Sequence, residues 1–371
     1  GTAYTFDSRS GIGQDAFFSW GNNTPAGAVG GILGLNDVID RSSPTQIPGT
    51  TWRSLTWSSR SYANMATKDD GTFWSWGRNA YGVLGHNDQQ YRSSPVQLGS
   101  DTTWGKTFSQ GDQSHFTHAI KTDGTLWAWG DNNGGAFGKS GTTPNLKVSS
   151  PVQIPGTTWD HDDWGKLACR YLGGGAIKTD NTLWTWGNNN SGALGQNSPD
   201  NSERSSPIQI PGTDWARLSA NEYLYTAIKT DGTLWTWGQN YHGGLGQNDQ
   251  TQRSSPTQVP GTNWAQAINS LWSTAAIKTD GTLWIWGSNG NGQLGQNNTT
   301  YYSSPVQIPG TTWSIVRAGG SGYIAKKTDN TLWVWGDNNK GGLGLNSANP
   351  DRRSSPVQLP GEWSSLDQFN F

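Results

Sequence analysis

The side chains that could do chemistry in this 371-residue chain are few, and their spacing works against them. His115 and His118, in "HFTH", stand three apart, which puts them on opposite faces of a strand and argues against a shared metal. "WDHDDWG" gathers Asp160, His161, Asp162 and Asp163, a set able to hold a hard or borderline cation, although a solvated acidic loop is the commoner use of such a run. Cys169 is the single cysteine, so an internal disulfide and a four-cysteine zinc site are both excluded. None of the five histidines lies in a recognisable nucleophile context with Ser or Cys. "GSNGNGQLG" imitates a phosphate-binding loop but precedes no helix. The sequence therefore predicts no catalytic residue, no metal ligand set and no cofactor: not an enzyme.

What the chain does contain is a frame. Trp-Gly pairs begin at Trp20, Trp76, Trp129, Trp186, Trp237, Trp286 and Trp335, spaced 49 to 57 residues apart. Ser-Ser-Pro recurs from Ser42, Ser93, Ser149, Ser205, Ser254, Ser303 and Ser354, and a tryptophan follows "PGT" or a degenerate form of it at Trp52, Trp104, Trp159, Trp215, Trp264, Trp313 and Trp363. Three markers agree on seven units. In each unit "TLWTWG" alternates with period two and reads as a strand. The preceding "AIKTDGT" enters a hairpin, where Asn181 and Asn330 replace the usual glycine as asparagine can in the left-handed region. Asp70, Asp123, Asp180, Asp231, Asp280 and Asp329 recur there for turn geometry and are poor catalytic candidates. "SPVQIPG" suits an outer edge strand, and the stretch after "PGTTW" supplies the fourth.

Four-stranded units of this length predict an all-β, seven-bladed β-propeller. The chain ends in "PGEWSSLDQFNF" and begins with a hairpin that lacks a first strand. The expectation is a single domain, 1–371, closed by pairing of the two terminal segments in a last blade shared between residues 1–47 and 361–371. With 25 basic against 27 acidic residues and no basic stripe, nucleic acid and anionic membranes are not expected partners. No run of 18 apolar residues exists to span a membrane. The opening at Gly1 fits a processed start or an excised piece.

The phrase "AIKTDGTLWTWGQNYHGGLGQNDQTQRSSPTQVPG" resembles the regulator of chromosome condensation repeat, and the likeness runs over essentially the whole chain. The resemblance implies a seven-bladed propeller. It implies less about function, since the family's namesake is a nucleotide exchange factor for a small GTPase on chromatin and its relatives include a plant ultraviolet-B photoreceptor. The basic tail of a chromatin binder, an exchange wedge and the photoreceptor's Gly-Trp-Arg-His-Thr phrases are missing here. The low charge and near-identical repeats look more like a bacterial or phage-type member, acting extracellularly or on a virion surface.

Segment lengths point to a working face. Hairpin Lys to Trp-Gly is invariant, whereas the connections after the first and third strands vary, and strand alternation puts both on one face. Loops on a rigid scaffold are where binding residues sit. The residues assigned to this aromatic-rich rim are Trp57, Arg60, Tyr62, His115, Arg170, Tyr171, Glu222, Tyr223, Tyr225, Trp272 and Tyr323. They either contact a partner, protein or glycan, or cap the inner strands and plug the channel. The reading that follows is a non-enzymatic scaffold for adhesion, receptor binding or decoration. A glycan-binding lectin and a guanine nucleotide exchange factor are the alternatives. The 20 tryptophans of the repeated phrases, all but Trp57, Trp164 and Trp272, are expected to pack between neighbouring blades.

Overall fold

A computed structural model of the chain describes residues 4–8, 16–23, 31–56, 62–110, 116–140, 146–198, 201–339, 342–346, 352–361 and 369–370. Among them there is no α-helix; three single 3₁₀ turns interrupt an otherwise all-β chain. Blade 4 represents the repeat, with antiparallel strands Trp215–Ala220, Leu224–Lys229, Leu234–Gly238 and Arg253–Gln258 in spatial order. Blades 1, 2, 3, 5 and 6 have the same order and begin at Trp52, Trp104, Leu167, Trp264 and Trp313. First strands of successive blades pack on one another and form the inner wall.

The sequence reading needs correction on blade number. Six blades are four-stranded, not seven. The remaining sheet holds three strands, Tyr4–Ser8, Ala16–Gly21 and Arg41–Gln46. The strand that was to complete it, around Trp363, lies outside the described residues. The tail residues Phe369–Asn370 pair, in parallel, with Leu55 and Thr56 of blade 1. The three-stranded sheet reaches blade 6 by a different contact, the Trp20 indole, whose Nε1 donates to the Gly342 carbonyl at 3.3 Å.

That contact is one of a set. The second tryptophan of each Trp-x-Trp-Gly phrase is wholly buried and donates from Nε1 to a carbonyl one blade back. Trp237 reaches Ala193 (3.0 Å), Trp286 reaches Gly244 (2.9 Å) and Trp335 reaches Gln293 (2.9 Å). The acceptor sits in the Gly-x-Leu-Gly turn of that preceding blade. The turn's last glycine has positive φ and lies so close to the ring that a methyl would collide: at Gly246 (φ +70°) a Cβ would stand 2.8 Å from Trp286 Nε1. Two residues on, Asn248, also at positive φ, donates its N–H to the Ser303 carbonyl of the next blade at 2.8 Å. Gly-x-Leu-Gly-x-Asn is thus a clasp between blades, and the left-handed conformations it needs explain its glycines and asparagine.

The other two tryptophans complete each wedge. Trp215 meets Trp235 and Trp237 edge-on at 6.4 and 6.3 Å, and Lys229 Nζ lies 4.9 Å from the rings of both Trp215 and Trp235. The hairpin lysine therefore caps two indoles, a cation–π contact found in all six four-stranded blades. In the turn, Asp231 Oδ1 accepts from the Thr233 N–H and hydroxyl, and Thr233 Oγ1 accepts from Trp235 Nε1. Asn181 and Asn330 take the glycine's place with φ of 61° and 66°, as the turn requires. The core is interfacial: Ile177, Leu183 and Ile210 of blade 3 pack on Trp215, Leu218 and Trp237 of blade 4.

Gly246→Ala is expected to cost about 2–4 kcal/mol, since left-handed strain adds to overlap with a hydrogen-bonded, immobile indole. Gly99→Ala, at φ +58° with nothing within 4 Å of the added methyl, should cost only about 1 kcal/mol. Urea denaturation of the two variants separates the effects; equal losses would show that the clasp is not tight.

Candidate functional site

In blades 4 to 6 the connections between first and second strands are held each by the next. In blade 4, Asn221 Oδ1 accepts the N–H groups of Tyr223 and Leu224, both at 2.9 Å, while its Nδ2 donates to the Ser270 and Leu271 carbonyls of blade 5. Ser270 Oγ passes the chain of bonds to the Gly320 carbonyl of blade 6. These bonds fix the backbone that carries Tyr223 and Trp272, whose rings stack at 4.3 Å and 12°. His242 meets the Trp272 ring edge-on at 5.2 Å and the Tyr301 ring at 5.4 Å. A row of four aromatic side chains thus crosses blades 4 and 5, drawn from first and third connections, with Tyr301 and neighbouring Tyr241 substantially exposed.

Beside the row, between blades 3 and 4, lies a cavity of about 270 Å³ whose walls include Arg170, Tyr171, Glu222 and Tyr223 together with Asn188 and Gln239. Four residues assigned to the rim by sequence therefore meet in one place. Arg170 is buried. Its Nη2 donates to the Asn188 carbonyl at 2.5 Å and its guanidinium lies over the Tyr225 ring at 5.4 Å. Tyr223 Oη donates to Glu222 Oε1.

Other assignments fall elsewhere. Trp57, Arg60 and His115 lie outside the described residues. Tyr62 is half-buried against Ile32 and Leu33, beneath the Arg78 guanidinium at 5.3 Å. Tyr225 and Tyr323 are not on the rim at all: both are wholly buried and stack on Trp237 and Trp335, at 18° and 20°. Each stands opposite that tryptophan in the strand register, so its ring belongs to the interior. Burial pushes the Tyr225 hydroxyl up to about 12, against the nearby Arg170 charge, and raises that of Tyr323 as well. His242, Tyr301 and Gln239 were missed, although the variable spacing from Trp-Gly to Ser-Ser-Pro marked their connections.

The opposite mouth also breaks the repeat. The extra length of blade 3 does not lie on the rim, as connection lengths had implied, but before its first strand, where Trp164 enters the channel. Arg317 and Arg217 lie over its ring at 4.2 and 5.3 Å, and Asp163 pairs with Arg217 at 3.0 Å. Asp160 pairs with Lys166 and His161 with Asp162. The "WDHDDWG" carboxylates thus have side-chain partners already, and among the described residues no three His, Cys, Asp or Glu side chains form a metal-binding group.

His118 faces Cys169 between blades 2 and 3, Nδ1 to Sγ 3.2 Å, with Nε2 at 3.2 Å from the Phe137 carbonyl. Both groups are buried. Burial pulls the imidazole down to about 4 and pushes the thiol up to about 12, so the pair is neutral and the thiolate needed by a nucleophile is suppressed.

The fold is a repeat-built β-propeller whose connections differ from blade to blade. Residues 70–111, 180–217, 231–270 and 280–325, a little under half of the chain, match the regulator of chromosome condensation (RCC1) repeat. Human E3 ubiquitin-protein ligase HERC2 is 28% identical over 182 residues, 47% of this chain and 4% of HERC2. The ultraviolet-B receptor UVR8 of Arabidopsis thaliana is 28% identical over 166 residues, 44% of this chain and 36% of UVR8. The match thus spans well under two thirds of either relative. Prp20p of Saccharomyces cerevisiae superposes with a TM-score of 0.78 at 16% identity, over 96% of this chain and 88% of Prp20p. At that identity the likeness establishes the fold alone. These proteins come from animals, plants and yeast, and give no support to the bacterial or phage-type character, or to the extracellular adhesion role, expected from composition. Among the described residues no helix is long and apolar enough to cross a membrane.

The pH dependence of stability follows from His118. Its folded pKa lies below the ordinary 6.5, so its contribution is complete above pH 6.5 and is lost as pH falls toward about 4, because the unfolded chain takes up the proton first. The loss is on the order of 3 kcal/mol. Denaturation midpoints of His118→Asn across this interval should slope less with pH than those of the parent; equal slopes would remove His118 as the source.

Proposed function

We propose that this propeller is a non-catalytic regulatory scaffold that seats a protein partner on its variable-loop face. The observation that carries the reading is the row Tyr223–Trp272–His242–Tyr301 on a backbone fixed by blade-to-blade hydrogen bonds. Large rigid rings on a preorganised surface are what protein contacts favour, since little side-chain freedom is lost on binding. The neutral, buried state of the His118–Cys169 pair leaves that pair no nucleophilic part.

The comparisons favour a regulatory role over adhesion. Prp20p has binding properties toward Gsp1p and histones, and a second structure has Kap60 bound to this same yeast protein, so one protein of this fold takes protein partners. Nucleotide exchange on a small GTPase is one form such a role takes. It is the form most directly assayed.

With the whole chain immobilised, proteins retained by the parent should be lost by the Tyr223→Ala, Trp272→Ala double variant, whose melting temperature should fall by no more than about 3 °C. Retention by that variant together with loss by Trp164→Ala would place the partner at the opposite mouth and overturn the reading. Release of labelled nucleotide from a panel of small GTPases, accelerated by the parent and not by the double variant, would identify the role as exchange.

A further inference from the structure

The cavity between blades 3 and 4 has a chemistry that the aromatic row does not share. Its walls carry one guanidinium, Arg170, and one carboxylate, Glu222, among amides and hydroxyls, so no net charge selects an ion. A carboxylate or phosphate entering toward Arg170 would face Glu222, and a cation entering toward Glu222 would face Arg170. Two buried polar atoms here lack hydrogen-bond partners: Nε of Arg170, a donor on a side chain only 3% exposed, and Oε1 of Gln239, an acceptor. Such atoms are costly to leave unpaired, and hydroxyl groups suit both kinds, because a hydroxyl accepts and donates. Tyr223 forms an aromatic wall. Trp272 stacks against it without lining the cavity, so it holds the ring from the far side. The volume, about 270 Å³, falls just below the ~300–1,000 Å³ usual for drug-sized ligands, which is room for a single ring.

We infer that this cavity is a saccharide subsite that takes one neutral pyranose ring, its C–H face on Tyr223 and its hydroxyls on Arg170, Glu222 and Gln239. A sugar ring combines what the walls ask for: an apolar face of the right area and an edge of groups that both donate and accept. The inference rests on the cavity alone and stands whether or not a protein binds the aromatic row.

Saturation-transfer NMR on the whole chain, with the methyl pyranosides of glucose, galactose, mannose and N-acetylglucosamine each at about 10 mM, tests it. Transfer to ring protons of at least one sugar is expected. It should drop at least fivefold in Tyr223→Ala and in the isosteric Glu222→Gln, and stay unchanged in Tyr91→Ala, an exposed tyrosine outside the cavity. Melting curves of the variants verify that each is folded, and Glu222→Gln keeps the test open should Tyr223→Ala unfold. No transfer from any of the four sugars overturns the inference, as does transfer that persists in both cavity variants. Loss of protein retention without any effect on sugars would leave the protein-partner reading standing and this one fallen.

Discussion

An indole N–H reaching one blade back is the constraint on which the structure depends. Each such bond is made in a wholly buried setting, where an unpaired carbonyl would be costly, and each acceptor is presented by a glycine turn that tolerates no side chain against the ring. Donor, acceptor and turn all come from repeated sequence, so the angle between one blade and the next is set by the same few atoms throughout. Hydrophobic area alone would hold the blades together without fixing that angle. Directional bonds and forced backbone conformations make the geometry single-valued.

Because the wedge is settled this way, the loops above it are free to differ. Blade 4 and blade 5 offer Tyr223 and Trp272 at corresponding places, where blade 3 has Leu172 and blade 6 has Ser321. The bonds from Asn221 to the Ser270 and Leu271 carbonyls show how such individuality is kept rigid: a polar side chain in one loop satisfies the backbone of the next. The aromatic row and the polar cavity are neighbours on that footing, and each is assembled from more than one blade. Neither exists in any single repeat.

Much of this was legible in the sequence. The Trp-Gly, Ser-Ser-Pro and proline–glycine markers gave the strand order, and Asn181 and Asn330 marked the hairpin turns by their tolerance of positive φ. Arg170, Tyr171, Glu222 and Tyr223 were placed on one rim and do share a cavity. Tyr225 and Tyr323 were misplaced because the end of a loop and the first residues of a strand look alike in composition; only their register opposite Trp237 and Trp335 shows that they face inward. The closing strand of the shared last blade, around Trp363, lies outside the described residues. A short terminal segment carries too little pattern to choose its neighbour, and the described tail lies along Leu55 and Thr56. Trp164 was illegible because inserted residues before a strand and after it give the same count between markers.

The indole of Trp20 makes the same bond as its counterparts, but to a carbonyl 322 residues away, where Trp237 and Trp286 span 44 and 42. Bringing together ends so far apart along the chain costs roughly 1.7 kcal/mol more in chain entropy than a junction of ordinary span. An identical contact therefore leaves less net stability at that seam. The molecule is uniform in its chemistry yet not in its cohesion.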